Sequence, residues 1–182
     1  MKFLIGSILV FAAVSANAAE QLNAGSLQNS VPSDTLATLV SGPEENKYTF
    51  LEKVGKFLQN YTKQNNFEAC GKIAVNGATK TFSVIVTTNH SHIGCLNNEI
   101  QDGYADTGET IHSHPNTEVF RVNAVDRVLL GYKFPLNKML RGQIHPDNFS
   151  DEDFQKPGYL VAAGKLLYQH GIGTTRVIKE SL

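Results

Sequence analysis

A single segment of the 182-residue chain repeats apolar side chains at helical spacing over several turns. Phe50, Leu51, Val54, Phe57, Leu58 and Tyr61 include pairs three and four residues apart over three turns, which puts them on one face of a helix. Gly42 stands where an N-cap is expected, with Pro43 at the first helical position. Glu44 and Glu45 follow in the first turn, where negative charge suits the helix dipole. The polar pair Asn65-Asn66 ends the pattern. The spacing predicts a helix over 43–63. A helix with one apolar face must cover something, and the segments after it are β-rich. The expected class is therefore α+β: a mixed sheet with this long N-terminal helix packed on it.

A hairpin is predicted directly after the helix. Residues 70–75 and 80–88 are β-rich, and Asn76-Gly77 between them is a turn signal. Residues 89–108 form a long polar loop. A short strand is expected over 109–112, ending at His112-Ser113-His114-Pro115. Residues 116–149 are mixed, with a short helix expected over 122–130 and loop around Pro135 and Pro146. Ser150 is expected to cap a helical turn over 150–155. Residues 159–162, 166–170 and 175–178 read as three closing strands separated by Gly-containing turns.

The front end has the anatomy of a secretory signal peptide. Met1-Lys2 is followed by an uncharged run from Phe3 to Val14, then by Ser15-Ala16-Asn17-Ala18 with small residues at the cleavage positions. The run is shorter than the about 20 residues of a spanning helix. Cleavage after Ala18 leaves residues 19–182, enough for one domain with a real core. Lys2 is the only charge lost, so the formal balance moves from −1 to −2. Residues 19–42 read as a flexible leader with a short helical piece near 35–40, and residues 43–182 as the domain. The near-neutral balance excludes the basic excess of a nucleic-acid binder. No second long apolar run exists, so no membrane span is expected after cleavage. The expected location is periplasmic or secreted. Cys70 and Cys95 then have two readings: a disulfide, which an oxidising compartment permits, or two small buried hydrophobes.

The sharpest chemical cluster is His112-Ser113-His114-Pro115. Residues i and i+2 of an extended segment point the same way, so two imidazoles can reach one metal. Pro115 stops the strand there. A catalytic zinc usually takes three protein ligands, so another must come from elsewhere. Ser150-Asp151-Glu152-Asp153 offers Asp153, one turn into a helix and close to the Ser150 hydroxyl. The same pattern is also an ordinary capping box. Glu68, in Phe67-Glu68-Ala69-Cys70-Gly71, reads either as a general base or as a solvated junction residue. His90-Ser91-His92 repeats the spacing without the Pro and begins a loop, so it is a rival pair, a neighbour of the site mouth, or solvated. Asp126, Asp147 and His145 compete as ligands, and His170 reads as structural.

Taken in order, Glu-x-Cys-Gly, His-x-His-Pro and Ser-x-x-Asp resemble the JAMM metallopeptidases of the JAB/MPN superfamily. The preceding helix and the Asn-Gly hairpin fit the order of elements in that family. The resemblance covers residues 43–178. It implies a JAB/MPN-like fold with cytidine-deaminase-like layering. It also implies one zinc per chain, held by His112, His114 and Asp153. Glu68 would be the base acting on the zinc-bound water, and Ser150 a donor to the oxyanion. Zinc lowers the pKa of its water to about 7, and a nearby Glu can carry the proton to the leaving amine. One oxyanion donor is worth roughly 3–4 kcal/mol. The implied protein is an exported bacterial hydrolase of amide or isopeptide bonds, acting on cell-wall (peptidoglycan-like) peptides or a foreign protein.

The chain departs from the family in the long stretch 116–149, where a short spacer is usual. Loops of different length can return to one point at modest entropic cost, so the site stays permitted and Asp153 becomes the ligand most dependent on the fold. The insert reads as a lid or a substrate-selecting wall. Its Arg121, Arg127, Lys133, Lys138 and Arg141 either meet an acidic substrate or form a solvated basic loop. Two other functions compete: a non-catalytic JAB/MPN-like binding module, and a periplasmic metal-binding protein using His90, His92, His112 and His114 together. The second requires all four histidines around one or two ions.

Overall fold

The structure, a computed structural model, describes residues 31–96, 99–142 and 146–182. The expected signal peptide with its expected cleavage point, residues 19–30 of the expected leader, and His145 lie outside the described residues. Among the described residues, nine strands and two α-helices follow in chain order. They are β1 (Asp34–Val40), α1 (Lys47–Asn65), β2 (Cys70–Val75), β3 (Phe82–Thr88), β4 (Ala105–Ser113), β5 (Val119–Arg121), α2 (Ala124–Leu129), β6 (Met139–Arg141), β7 (Gly158–Ala162), β8 (Lys165–Gln169) and β9 (Arg176–Lys179). A single 3₁₀ turn, Glu152–Gln155, precedes β7. Seven strands form a mixed sheet in the order β1-β3-β2-β4-β7-β8-β9, and β5 pairs with β6 alone. Only β4 and β7 run parallel; the other neighbours are antiparallel. The α+β class expected from the sequence is present. No helix among the described residues is long and apolar enough to cross a membrane.

Helix α1 carries the expected apolar face but begins four residues later than predicted. Asn46 caps it, its side chain accepting the Thr49 N–H at 3.0 Å. Gly42 has no side chain to do this. Residues 42–45 instead form a turn in which the Glu45 carboxylate accepts the Gly42 N–H at 3.0 Å. Asn66 ends the helix in the left-handed conformation, φ 58°, as the polar pair suggested. Phe50, Leu51, Val54 and Leu58 are at most 1% exposed and pack on Ile73, Val84, Val86, Ile111, Tyr159, Val161 and Leu166. Each such side chain contributes about 1.5–3 kcal/mol.

The helix is not the first element. Residues 34–40, expected in a flexible leader with a helical piece, are strand β1, paired antiparallel with β3 from Asp34↔Thr88 to Val40↔Ser83. The β-branched residues Thr35, Thr38 and Val40 suit an edge strand better than a helix. The hairpin lies where predicted, but its turn works differently from a two-residue Asn-Gly turn. The Asn76 side chain accepts the N–H groups of Ala78 and Thr79, and Lys80 takes the left-handed conformation, φ 59°. Gly71 in β2 is required by crowding, since an added Cβ would collide with Val84 and come within 2.8 Å of the Ile85 carbonyl.

Register places the chemistry on one face. Ile111 and Ser113 of β4 point toward α1, where the Ser113 and Thr62 hydroxyls meet at 2.6 Å. His112 therefore points to the opposite face, in register with Cys70 of β2 and Leu160 of β7. On that face Leu160, Ala162 and Leu167 pack with Phe149, and Phe154 of the 3₁₀ turn joins them. Residues 116–142 hold more than the expected short helix and loop. β5 and β6 pair on either side of α2, and Phe120, Val122 and Leu140 make a small core with Ile93, Leu130 and Phe134.

Candidate metal centre

His112 is the penultimate residue of β4. His114 lies just past the strand, but its N–H still donates to the Val161 carbonyl at 3.2 Å. The segment thus stays extended and both rings face the same side. Asp153 arrives from the 3₁₀ turn that lies against this face. The two Nε2 atoms are 3.2 Å apart. Asp153 Oδ1 lies 3.3 Å from His112 Nε2, and Oδ2 lies 3.9 Å from His114 Nε2. A tetrahedral zinc with arms of about 2.0–2.1 Å holds its ligand atoms roughly 3.3 Å apart. Two imidazole nitrogens facing each other, with a carboxylate closing the third side, fit a small divalent cation. Among the described residues these three are the one group whose donor atoms converge in this way.

Ser150 orients the carboxylate. Its N–H and its hydroxyl both donate to Asp153 Oδ2, at 2.7 and 2.8 Å. The expected Ser-cap has a different form: Ser150 accepts the Asp153 N–H on its carbonyl at 3.2 Å, not on its side chain. Burial alone raises the Asp153 pKa. The His112 hydrogen bond and charge and the two Ser150 donors outweigh it and leave the carboxyl well below its ordinary range.

Glu68 lies in the loop before β2, two residues ahead of Cys70, and lines one cleft with His112, His114, Ser150 and Asp153. Its backbone is fixed at both ends: the N–H donates to the Ser91 carbonyl at 2.8 Å, and its carbonyl accepts from the Thr88 hydroxyl at 2.7 Å. The residue is 5% exposed, so it is not the solvated junction residue that its sequence position also allowed. Burial pushes its pKa well above the usual range, and the negative Asp153 and Asp126 add to that. A divalent cation beside it acts in the opposite sense.

Cys70 and Cys95 form a disulfide, with the Cα atoms 5.8 Å apart. The bridge lines the same cleft and ties the polar loop to β2, opposite His112.

The remaining candidates are elsewhere. His90 Nε2 lies 2.8 Å from Asp34 Oδ2. His92 Nδ1 lies 2.7 Å from Asp126 Oδ2 and the ring stacks on Phe120. Neither joins the triad, which removes the arrangement of four histidines around shared ions. Asp126 is fully buried under His92, and Asp147 is exposed outside the triad. His170 is exposed at the end of β8, its ring beside Tyr168. None of Arg121, Arg127, Lys133, Lys138 and Arg141 lines the cleft. Four of them are exposed, and Arg127 lies over the Tyr132 ring at 5.1 Å. The residues that sequence reasoning missed are Ile93, Leu96, Leu129 and Leu130, which line the cleft beside the disulfide. Leu129 and Leu130 lie in the segment expected to be helical, and nothing in their spacing marks them as facing a site.

Comparison with protein-family models, with curated proteins and with solved structures returns no match for this chain.

Proposed function

We propose that the chain is an exported zinc-dependent peptidase or isopeptidase of the JAMM type, with a JAB/MPN-like, cytidine-deaminase-like layering of helix, sheet and site. The observation that carries this reading is the convergence of His112, His114 and Asp153 in a cleft that also holds a buried carboxylate, Glu68. A zinc ion held by the three ligands supplies a Lewis acid for the carbonyl and lowers the pKa of a water. Glu68 takes the proton of the attacking water as its oxygen bonds to the carbonyl carbon. It gives that proton to the nitrogen as the C–N bond breaks. Ser150 holds Asp153 through two donors, so its N–H keeps the ligand in place when the hydroxyl turns to the developing oxyanion.

The leader with signal-peptide anatomy and the Cys70–Cys95 disulfide support export. Outside the cytoplasm the substrate is an amide in a cell-wall peptide or in a foreign protein. Mature protein is expected to bind about one zinc and to cut muropeptides or protein chains in a direct screen. Glu68→Gln is expected to keep the zinc and lose hydrolysis by about 10²–10⁴-fold. Full activity in that variant would falsify the role of Glu68. A wild-type protein without zinc rejects the whole reading.

A further inference from the structure

The cleft continues past the triad and Glu68 into a recess whose chemistry the hydrolysis step does not need. The whole cleft measures about 490 Å³, room for a side chain as well as a scissile bond. Beyond the triad it is lined by Ile93, Gly94, Leu96, the Cys70–Cys95 bridge, and Leu129 and Leu130 of the insert. Ile93 and Leu130 are fixed by the small core around Phe120. Leu129 stands over Gly94, where an added Cβ would come within 3.4 Å of its Cδ1. No Lys or Arg lines this cleft, and its charged groups are the carboxylates Glu68, Glu152 and Asp153 beside the two imidazoles. Lys156 lines a separate recess on the Phe149 side of His112 and Asp153.

We propose that this recess is a specificity subsite that takes an aliphatic side chain next to the amide that is cut and rejects an acidic one. The inference rests on the metal-dependent hydrolase reading. An aliphatic side chain entering the recess leaves water for apolar contact on several sides. A carboxylate entering it loses water, finds no Lys or Arg to pair with beyond the metal ligands, and shares the cleft with Glu68 and Glu152. The insert thus selects by shape and polarity, not through its arginines and lysines.

Zinc-loaded mature protein is titrated calorimetrically with three hydroxamates. Acetohydroxamate carries no side chain, isocaprohydroxamate carries a leucine-like one, and the monohydroxamate of glutaric acid ends in a carboxylate. The expected order is isocaprohydroxamate at least about tenfold tighter than acetohydroxamate, with the glutaric compound no tighter than acetohydroxamate. Leu129→Ala is expected to narrow the ratio, and Leu129→Asp to abolish it. Equal affinity for all three compounds in the wild type overturns the subsite and leaves the metal reading standing, because acetohydroxamate reports that alone. If no zinc is retained, the hydrolase reading fails, and the recess is judged by isocaproamide and the Leu129 methyl resonances of the metal-free protein. Unmoved resonances overturn the subsite there too. Shifts that Leu129→Ala abolishes support it as an aliphatic pocket.

Discussion

The chain contains His-Ser-His twice, at 90–92 and at 112–114, and the two copies have opposite fates. In the second copy the extended backbone at the end of β4 turns both rings to one face, where Asp153 meets them. In the first copy His90 takes the left-handed conformation, φ 54°, so the two side chains diverge. Each then finds its own carboxylate: His90 meets Asp34 of β1, and His92 meets Asp126 of α2. Residue spacing alone does not make a metal pair. The backbone conformation between the residues and the number of carboxylates within reach decide it.

The comparison breaks most sharply on metal content. On the proposed zinc reading, His112→Ala or His114→Ala is expected to abolish zinc binding, because two remaining ligands do not hold a stable tetrahedral site. His90→Ala and His92→Ala are expected to leave one zinc per chain. Elemental analysis of the four purified variants decides the matter. Zinc lost on changing His92 but kept on changing His112 would reverse the assignment.

The largest stability effect belongs to the first copy. Asp126 is fully buried and accepts four hydrogen bonds. The Ser91 hydroxyl and the His92 N–H reach Oδ1 at 2.8 Å each. The Asn123 N–H and His92 Nδ1 reach Oδ2 at 3.0 and 2.7 Å. The carboxylate therefore fastens the insert helix to the loop. Asp126→Ala orphans these donors and is expected to cost about 3–5 kcal/mol in denaturant unfolding. The acid limb is expected to change as well. Burial raises the Asp126 pKa, but the His92, Asn123 and Ser91 hydrogen bonds overcome it and leave the folded value lowered. Its contribution is complete above the unfolded value of about 3.9 and disappears as pH falls through the folded one. The wild type should thus lose stability below about pH 4 more steeply than Asp126→Ala. Parallel acid limbs would remove Asp126 from this role.

These two clusters also show what the sequence can and cannot say. The apolar face of α1, the strand 70–75 and the Asn65-Asn66 stop were legible because periodicity and local chemistry specify them. Strand β1 was not, because Asp34–Val40 is an edge strand among the described residues, and its partner there, β3, lies more than forty residues away. The three-residue strands β5 and β6 are too short to show a period. The helix start was misplaced because Pro43 and two glutamates imitate a first turn, whereas the Asn46 side chain makes the cap. In the site, both histidines were legible from their spacing and Pro115. Asp153 and Glu68 stood out only when the three motifs were read together. The capture of His92 by Asp126 depends on residues 34 positions apart that no local pattern joins.

A smaller effect sharpens the link between the two copies. The Cys70–Cys95 bridge closes a segment with a sequence separation of 25 and ties the loop carrying His90 and His92 to the strand opposite His112. Its loop-closure contribution is about 3.5 kcal/mol. Cys70→Ala/Cys95→Ala is expected to lose roughly that much by chemical denaturation while keeping its zinc. Loss of zinc from the folded double variant would mean that the bridge, and not the β2–β4 pairing, sets the position of His112.

The smallest effect is expected at His90. Its backbone is well anchored: the N–H donates to the Thr88 hydroxyl at 3.0 Å, and the carbonyl accepts from the Asn123 side chain at 2.7 Å. Both bonds survive removal of the ring. The ring itself contributes one polar contact with Asp34, in which the side chains are 47% and 68% exposed, and such exposed pairs are worth about 0–1 kcal/mol. His90→Ala is therefore expected to change unfolding stability by less than about 1 kcal/mol. His92→Ala, which leaves Asp126 without its ring donor, is expected to lose more. Equal losses in the two variants would mean that the loop is held by His90 as much as by His92. The difference between the two copies of His-Ser-His would then lie in β4 alone.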